Sequence, residues 1–323
     1  MFAITAARID PADPLSCLEA GERPEPTPTQ GWTVVTVKAA SLNHHDLWSL
    51  RGVGLSADRL PMVLGTDAAG VDEEGNPVIV HGVIGDATDG AGDETRDPRR
   101  SLLSEVYDGS FAEKLAVPRR NLVPKPEGLS FEEAACLPTA WLTAYRMLFE
   151  KAQVEPGARL LVQGAGGGVS SALIRMAAVT GYRVYVTGRS ETKRARAVEL
   201  GAYAAFEPGQ RLPEKVDAVF DSVGEATWGH SVRSLRPGGR IVTCGATSGD
   251  APSAELTRMF FLQLSAVGSA MGTRGQLARL AEFCVRTGVR PEIDRVLPLN
   301  RAAEGFAAMY EGDLFGKVVF TVD

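Results

Sequence analysis

The chain has 323 residues, of which 44% are hydrophobic, and it carries a formal net charge of −6. That length supports two ordinary domains with a core each, and no apolar run approaches the roughly 20 residues that cross a bilayer as a helix, so a membrane is not an expected partner. The mild acidity, with arginines scattered through helical segments instead of gathered in one stripe, gives no support to nucleic acid as a partner.

The N-terminal stretch MFAITAARID lacks a basic region, a long apolar core and a cleavage site, and a cytoplasmic protein is expected. Cys17, Cys136, Cys244 and Cys284 lie far apart with no CxxC pair, and they read as free, mostly buried thiols.

In chain order, the first third alternates short β-like runs with Gly and Pro turns: FAITAARI, WTVVTVKAA, DAAGV, and NPVIVHGV after the turn EEGN. This predicts a small β-rich domain over residues 1–129. From Gly85 to Arg100 the sequence GDATDGAGDETRDPRR is polar, Gly-rich and aperiodic, and it is expected to be a long surface loop, functional or simply mobile. From about Ser130 helix and strand patterns alternate. SFEEAACLPTAWLTAYRMLFEKA is helical in character with a break at Pro138. ARLLVQGAG, YRVYVTG, VDAVFDSVG, GRIVTCGA and FFLQLSAVGSA read as strands; SSALIRMAAVTG and SETKRARAVELGA read as helices, the second capped by Ser190. Strands this continuously apolar, separated by helices, imply a parallel sheet covered on both faces over residues 130–272. An amphipathic helix, RGQLARLAEFCVRTG, and a last strand, GKVVFTV, follow, and residues 273–323 are expected to return to the first domain.

The strongest chemical signal is LLVQGAGGGVSSALIRMAA, a glycine-rich turn between an apolar strand and a helix. Such a turn lets backbone N–H groups and a helix N-terminus approach a pyrophosphate. Gly164, Gly166, Gly167 and Gly168 are present, but Val169 stands where the strict GxGxxG spacing has its last glycine, and the alternative register ends on Ser170. About 20 residues on, where an NAD site places a carboxylate against the ribose 2′-hydroxyl, the chain has Gly188. Arg189, Ser190 and Lys193 follow, two cations and a hydroxyl at a helix start, which favours the 2′-phosphate of NADPH.

LNHHDLWSLRG, LPMVLGTDAAGV, GSFAEKLAVP, LVPKPEGLSFEEAACLPTAWLTAY, GAGGGV, LRPGGRIVTCGATSG and FGKVVF occur in the order seen in the medium-chain dehydrogenase/reductase superfamily. The chain resembles its quinone oxidoreductase-like branch over nearly its whole length. The resemblance implies an α/β fold: a GroES-like β-rich catalytic domain plus a Rossmann doubly wound parallel-sheet domain, with cofactor and substrate meeting between them. It also implies roles for residues. Thr143, the turn Gly245, Ala246, Thr247 after Cys244, and Gly224 are expected near the cofactor, as is Lys317; Trp48 and Trp141 wall the substrate pocket or simply pack.

Catalytic zinc needs three protein ligands and an open position. In the zinc-bearing relatives these come from a Cys opening the motif read here as NHHD, a His in a GHE motif and a later Cys. This chain has Asn43, Thr66 and Thr139 at those places, so no metal is expected, and Thr66 and Thr139 become candidates for the substrate pocket. Adjacent His44 and His45 point in different directions and do not chelate one ion. The four cysteines of the relatives' structural zinc lobe are absent from residues 85–106. His45, or less readily His44, is the candidate proton-handling or substrate-binding group, with Asn43 beside it; the competing reading has the histidines satisfying backbone groups or holding Asp46. The expected activity is NADPH-dependent, zinc-independent reduction of a quinone or an α,β-unsaturated carbonyl. The alternatives are an alcohol or aldehyde oxidoreductase and a cofactor-binding protein without turnover. The apolar run at 259–272 resembles the edge through which this superfamily forms homodimers; an internal strand is the competing reading.

Overall fold

The computed structural model describes residues 1–322 and divides them into two compact units, Met1–Leu142 with the chain from Met271 onward, and Thr143–Ala270. The expected boundary at 129 moves to Leu142 because the short helix Phe131–Ala135 packs on strand Trp32–Ser41 of the first unit.

That strand organises the first unit. Its odd-numbered residues Thr33, Val35, Val37 and Ala39 are buried while Val34, Thr36 and Lys38 are partly exposed, the period-2 pattern of a half-covered strand. It lies in a seven-stranded sheet that runs Leu122–Pro124, Pro77–Val80, Ala68–Val71, Trp32–Ser41, Lys317–Thr321, Ile293–Pro298, with Lys114–Pro118 also paired to Trp32–Ser41. The last strand, Lys317–Thr321, thus returns to the first unit, where Val319, Phe320 and Thr321 pair antiparallel with Ser41, Ala40 and Ala39. A three-stranded sheet, Leu18–Glu22, Phe2–Ala6 and Met62–Val63, closes the unit. Phe111, Phe306 and Phe320 meet at its centre, Phe111 edge-on to Phe320 with centroids 5.1 Å apart.

Residues 85–106, expected as an aperiodic loop, are built into turns by carboxylates instead of by metal. Asp97 accepts the backbone N–H groups of Asp86 and Arg99, both at 2.8 Å, Asp93 caps the short helix Glu94–Arg96, and Ser101–Leu102 pairs with Val83–Ile84. His81, 1% exposed, donates from Nε2 to Gly272 O at 2.8 Å.

The second unit is a six-stranded all-parallel sheet ordered Ala204–Phe206, Arg183–Thr187, Arg159–Val162, Val216–Asp221, Leu235–Thr243, Ser265–Gly268, which is 3-2-1-4-5-6 in chain order. Helices Gly168–Val179, Glu191–Glu199 and Glu225–Ser234 link its strands. The expected strand FFLQLSAVGSA is corrected: Leu256–Phe261 is helical and only Ser265–Gly268 joins the sheet, as its edge. Pro138 does not end the helical run; it sits in a wide π-helical turn, Leu137–Trp141, which accommodates a residue without an N–H. Among the described residues no helix is long and apolar enough to cross a membrane, and the four cysteines are free.

Candidate active site

In the first unit the polar residues of NHHD, GTD and LPTAW converge. Strand Trp32–Ser41 ends at Ser41, whose hydroxyl donates to Asp67 Oδ2 at 2.7 Å. Asn43 donates from Nδ2 to the same oxygen at 2.8 Å and to Thr66 Oγ1 at 3.2 Å. Its Oδ1 accepts from Lys317 Nζ at 2.5 Å, and Lys317 also donates to Leu42 O at 2.7 Å and lies 3.5 Å from Asp67. Thr66 and Thr139 share a hydrogen bond at 3.0 Å. Lys317 and Asp67 are 2% and 0% exposed, so this is a buried ion pair with an amide laid across it.

Zinc does not fit here. Asn43, Thr66 and Thr139 offer neutral amide and hydroxyl oxygens where Zn²⁺ takes thiolate, imidazole or carboxylate. The Lys317 ammonium, itself a cation, sits against Asn43 Oδ1. Cys136, buried in the same neighbourhood, has its thiol pushed up to about 12 by desolvation, which keeps it protonated. Among the described residues no group of three or more His, Cys, Asp or Glu is arranged to hold an ion.

Helix His44–Leu50 starts at Asn43, whose backbone N–H donates to Asp46 Oδ2 at 2.8 Å. Asp46 is wholly buried, and desolvation pushes its pKa up to about 6. The two histidines diverge as expected: His44 is exposed, and His45 is half-buried with Nε2 at 3.1 Å from Glu105 Oε1. Burial opposes a charge on His45, but the hydrogen bond to Glu105 and the charges of Asp46, Glu105 and Asp67 outweigh it and raise its pKa above the ordinary 6.5. Burial pushes the Glu105 pKa up, but its hydrogen bonds to His45 and from the Leu102 N–H outweigh burial and hold it below the usual 4.5. Lys317, expected near the cofactor, is tied into the buried cluster by Leu42 O, Asn43 and Asp67. Trp141 is wholly buried; Trp48 is half-buried with the Arg51 guanidinium 5.4 Å over its ring.

In the second unit strand Arg159–Val162 leads through Gly164 and Gly166, at φ 85° and 101°, into helix Gly168–Val179. Across positions 164–168 the bulkiest side chain is the methyl of Ala165, so the helix N-terminus and the backbone before it are open to a phosphate. Val169 lies in the first turn of the helix, and Ser170 Oγ accepts from Gly167 N at 3.0 Å, which places the small residue of the alternative register at the turn. Gly188 closes the next strand, and a Cβ there would lie 2.8 Å from Ala165 Cβ. Any side chain at 188, a carboxylate included, would therefore collide with the glycine turn. Arg189 and Ser190 are exposed just beyond, and Ser190 caps helix Glu191–Glu199 by accepting from Lys193 N at 3.3 Å. Arg194 Nη1 donates to Gly188 O at 2.7 Å and braces this corner. Gly224 N and Val223 N donate to Asp221 Oδ1 at 3.0 and 2.9 Å, which orders the turn facing Gly245, Ala246 and Thr247; Thr143 is buried at the start of the unit. This cradle fits a dinucleotide phosphate.

Sequence reasoning missed two groups. Glu105 lies 60 residues from His45, in a stretch read as loop, and nothing in its surroundings signals the pairing. Gln163 was signalled, as the one amide in an apolar strand end: its Nε2 donates to Ser231 Oγ at 2.9 Å and its Oε1 accepts from Thr187 Oγ1 at 2.6 Å, tying three strand and helix ends beneath the glycine turn.

Residues 29–127 match the family model of the alcohol dehydrogenase GroES-like domain, and residues 168–286 match that of the zinc-binding dehydrogenases. The chain is 31% identical over 324 residues to a zinc-type alcohol dehydrogenase-like protein of Schizosaccharomyces pombe, with 91% of each chain covered. A solved NAD-dependent alcohol dehydrogenase superposes with a TM-score of 0.91 at 35% identity, covering 100% of both chains. A 2-octenoyl-CoA carboxylase reductase, solved with NADP and 2-octenoyl-CoA, superposes at 0.89 with 26% identity over 99% of this chain and 87% of that one. Two family models matched in order, one on a β-rich unit and one on a parallel sheet of dinucleotide-binding order, leave one conclusion: the chain belongs to the medium-chain dehydrogenase/reductase superfamily.

Proposed function

We propose that this chain is an NADPH-dependent, zinc-independent reductase of conjugated carbonyl compounds, α,β-unsaturated carbonyls first and quinones second. The observation that carries the reading is the buried Lys317–Asn43–Asp67 cluster, built around Asn43, which stands where zinc-bearing relatives have a ligand. Without a Lewis acid, an alkoxide has lost its main stabiliser, whereas a conjugated acceptor is already activated for hydride addition. The neighbour solved with NADP and an enoyl thioester supports the same chemistry.

NADPH, when bound, supplies the hydride that adds to the β-carbon. The chain does the rest: the glycine turn and the N-terminus of helix Gly168–Val179 bind the pyrophosphate, and Arg189, Ser190 and Lys193 take the 2′-phosphate. Thr143, Gly224 and the turn Gly245–Thr247 border the nicotinamide end, and Thr66, Thr139 and Trp48 border the acceptor. His45 gives the proton that the α-carbon, or a quinone oxygen, takes up as the hydride arrives.

Purified protein is expected to oxidise NADPH with enones or quinones, to hold far less than one zinc per chain and to be indifferent to chelators. Stoichiometric zinc with activity abolished by chelation, or turnover of alcohols with NADP⁺ alone, overturns the reading. The alcohol reading has one observation in its favour, the 35% identical alcohol dehydrogenase structure. NADPH bound but never oxidised across the panel marks a cofactor-binding protein instead. That relative is described as NAD-dependent, so nucleotide choice is tested apart: Arg189→Ala with Lys193→Ala should raise the KM for NADPH about 10- to 100-fold, the loss of one charged hydrogen bond or more, with the KM for NADH little changed. Equal effects on both nucleotides remove the 2′-phosphate assignment.

The edge strand Ser265–Gly268, with Leu256, Phe260 and Phe261 exposed at 72%, 70% and 76% beside it, supports a homodimer. Sedimentation at micromolar concentration should give twice the chain mass; a monomer removes this part.

A further inference from the structure

Glu105 is held in place from several sides. Its Oε2 accepts from Leu102 N at 3.0 Å while Oε1 faces His45 Nε2 at 3.1 Å, the side chains being 21% and 19% exposed. The residue before it, Ser104, is wholly buried at φ 66°, a left-handed backbone that a non-glycine residue adopts only where its surroundings hold it. Gly54 faces the carboxylate, and a Cβ there would lie 2.8 Å from Oε1. On the other side of the imidazole, Nδ1 is buried with no partner.

We propose that Glu105 is the positioning residue of His45, so that the lobe 85–106, which carries no cysteine, serves the site by delivering this carboxylate. The inference rests on the reductase reading. An ionised carboxylate only accepts, so Nε2 keeps its hydrogen in both charge states and Nδ1 is the nitrogen that gains and loses the proton. In the reduction, the hydride forms the new C–H bond at the β-carbon and the π pair of the double bond takes the Nδ1 proton at the α-carbon. The imidazolium becomes neutral imidazole, still bound to Glu105 through Nε2–H, and regains a proton from solvent. The charged groups facing His45 are Asp46 on its own helix, Asp67 ahead of strand Ala68–Val71, and Glu105 from the lobe; the hydrogen bond to the ring comes from Glu105.

The test is an NMR titration of the His45 imidazole beside pH profiles of kcat/KM, in the parent, Glu105→Gln, Glu105→Asp and the lobe-surface control Arg99→Ala. Glu105→Gln should lower the His45 pKa by about one unit and move the high-pH fall of kcat/KM down by the same amount, about a tenfold loss above it, with the KM for NADPH unchanged. Glu105→Asp should retain most of the parental profile, and Arg99→Ala all of it. An unchanged His45 titration in folded Glu105→Gln overturns the proposal, as does an equal shift in Arg99→Ala. If the parent reduces no conjugated acceptor, the reductase reading fails, and the NMR titration alone still decides the role of Glu105.

Discussion

Replacing His45 with Ala is expected to lower kcat/KM for an enone about 100-fold or more while NADPH affinity stays within about twofold, the loss typical of a positioned proton donor. The reasons lie in its surroundings. His45 belongs to the helix that starts at Asn43, its ring is half-buried, and its acidic neighbours raise its pKa above the ordinary histidine range. The sign follows: a raised pKa means that the acid form is present below it and is lost as pH rises through it, so the parental kcat/KM should fall on the alkaline side and the Ala variant should lack that fall. The same linkage makes the His45–Glu105 pair a contributor to stability below the ordinary histidine range that fades as pH climbs past the raised value. Full turnover by His45→Ala with an unchanged profile returns the residue to a packing role.

The second large effect is on stability. Lys317→Met should destabilise the folded protein by about 3–5 kcal/mol, because it leaves Asp67 as a buried carboxylate without its cation and strips the donor from Asn43 Oδ1 and Leu42 O. Adding Asp67→Asn should recover part of the loss, since the amide no longer needs the ammonium, and a double-mutant cycle by denaturant unfolding measures the coupling. A Lys317→Met protein as stable as the parent, with a raised KM for NADPH, would instead put Lys317 at the cofactor.

How legible was this in the sequence? The parallel sheet was readable because its central strands Arg159–Val162 and Val216–Asp221 are largely buried on both faces and mostly apolar, and the glycine turn follows directly on one of them. Ser190 as a cap and the return of GKVVFTV were readable for similar reasons, one a local hydrogen bond and the other a clean strand bounded by glycine. The misreading of residues 260–264 as strand has a plain cause: Phe-Phe-Leu is apolar in either geometry, and an exposed helix on a sheet edge offers no periodic polar face to betray it.

The candidate site divides in the same way. Which residue types stand at the zinc positions, Asn43, Thr66 and Thr139, and which cations follow Gly188, were settled by the linear order of residues, because each is read at a fixed offset within a local motif. That Lys317 fills the cluster, 274 residues along the chain from Asn43, and that Glu105 reaches His45 depended on the tertiary structure. Both are side-chain meetings between segments with no periodic or local relation, brought together by the pairing of the last strand with Trp32–Ser41 and by the carboxylate-held turns of 85–106. Local chemistry writes itself into sequence; the electrostatic partner of a buried charge is chosen by the fold that excludes water around it.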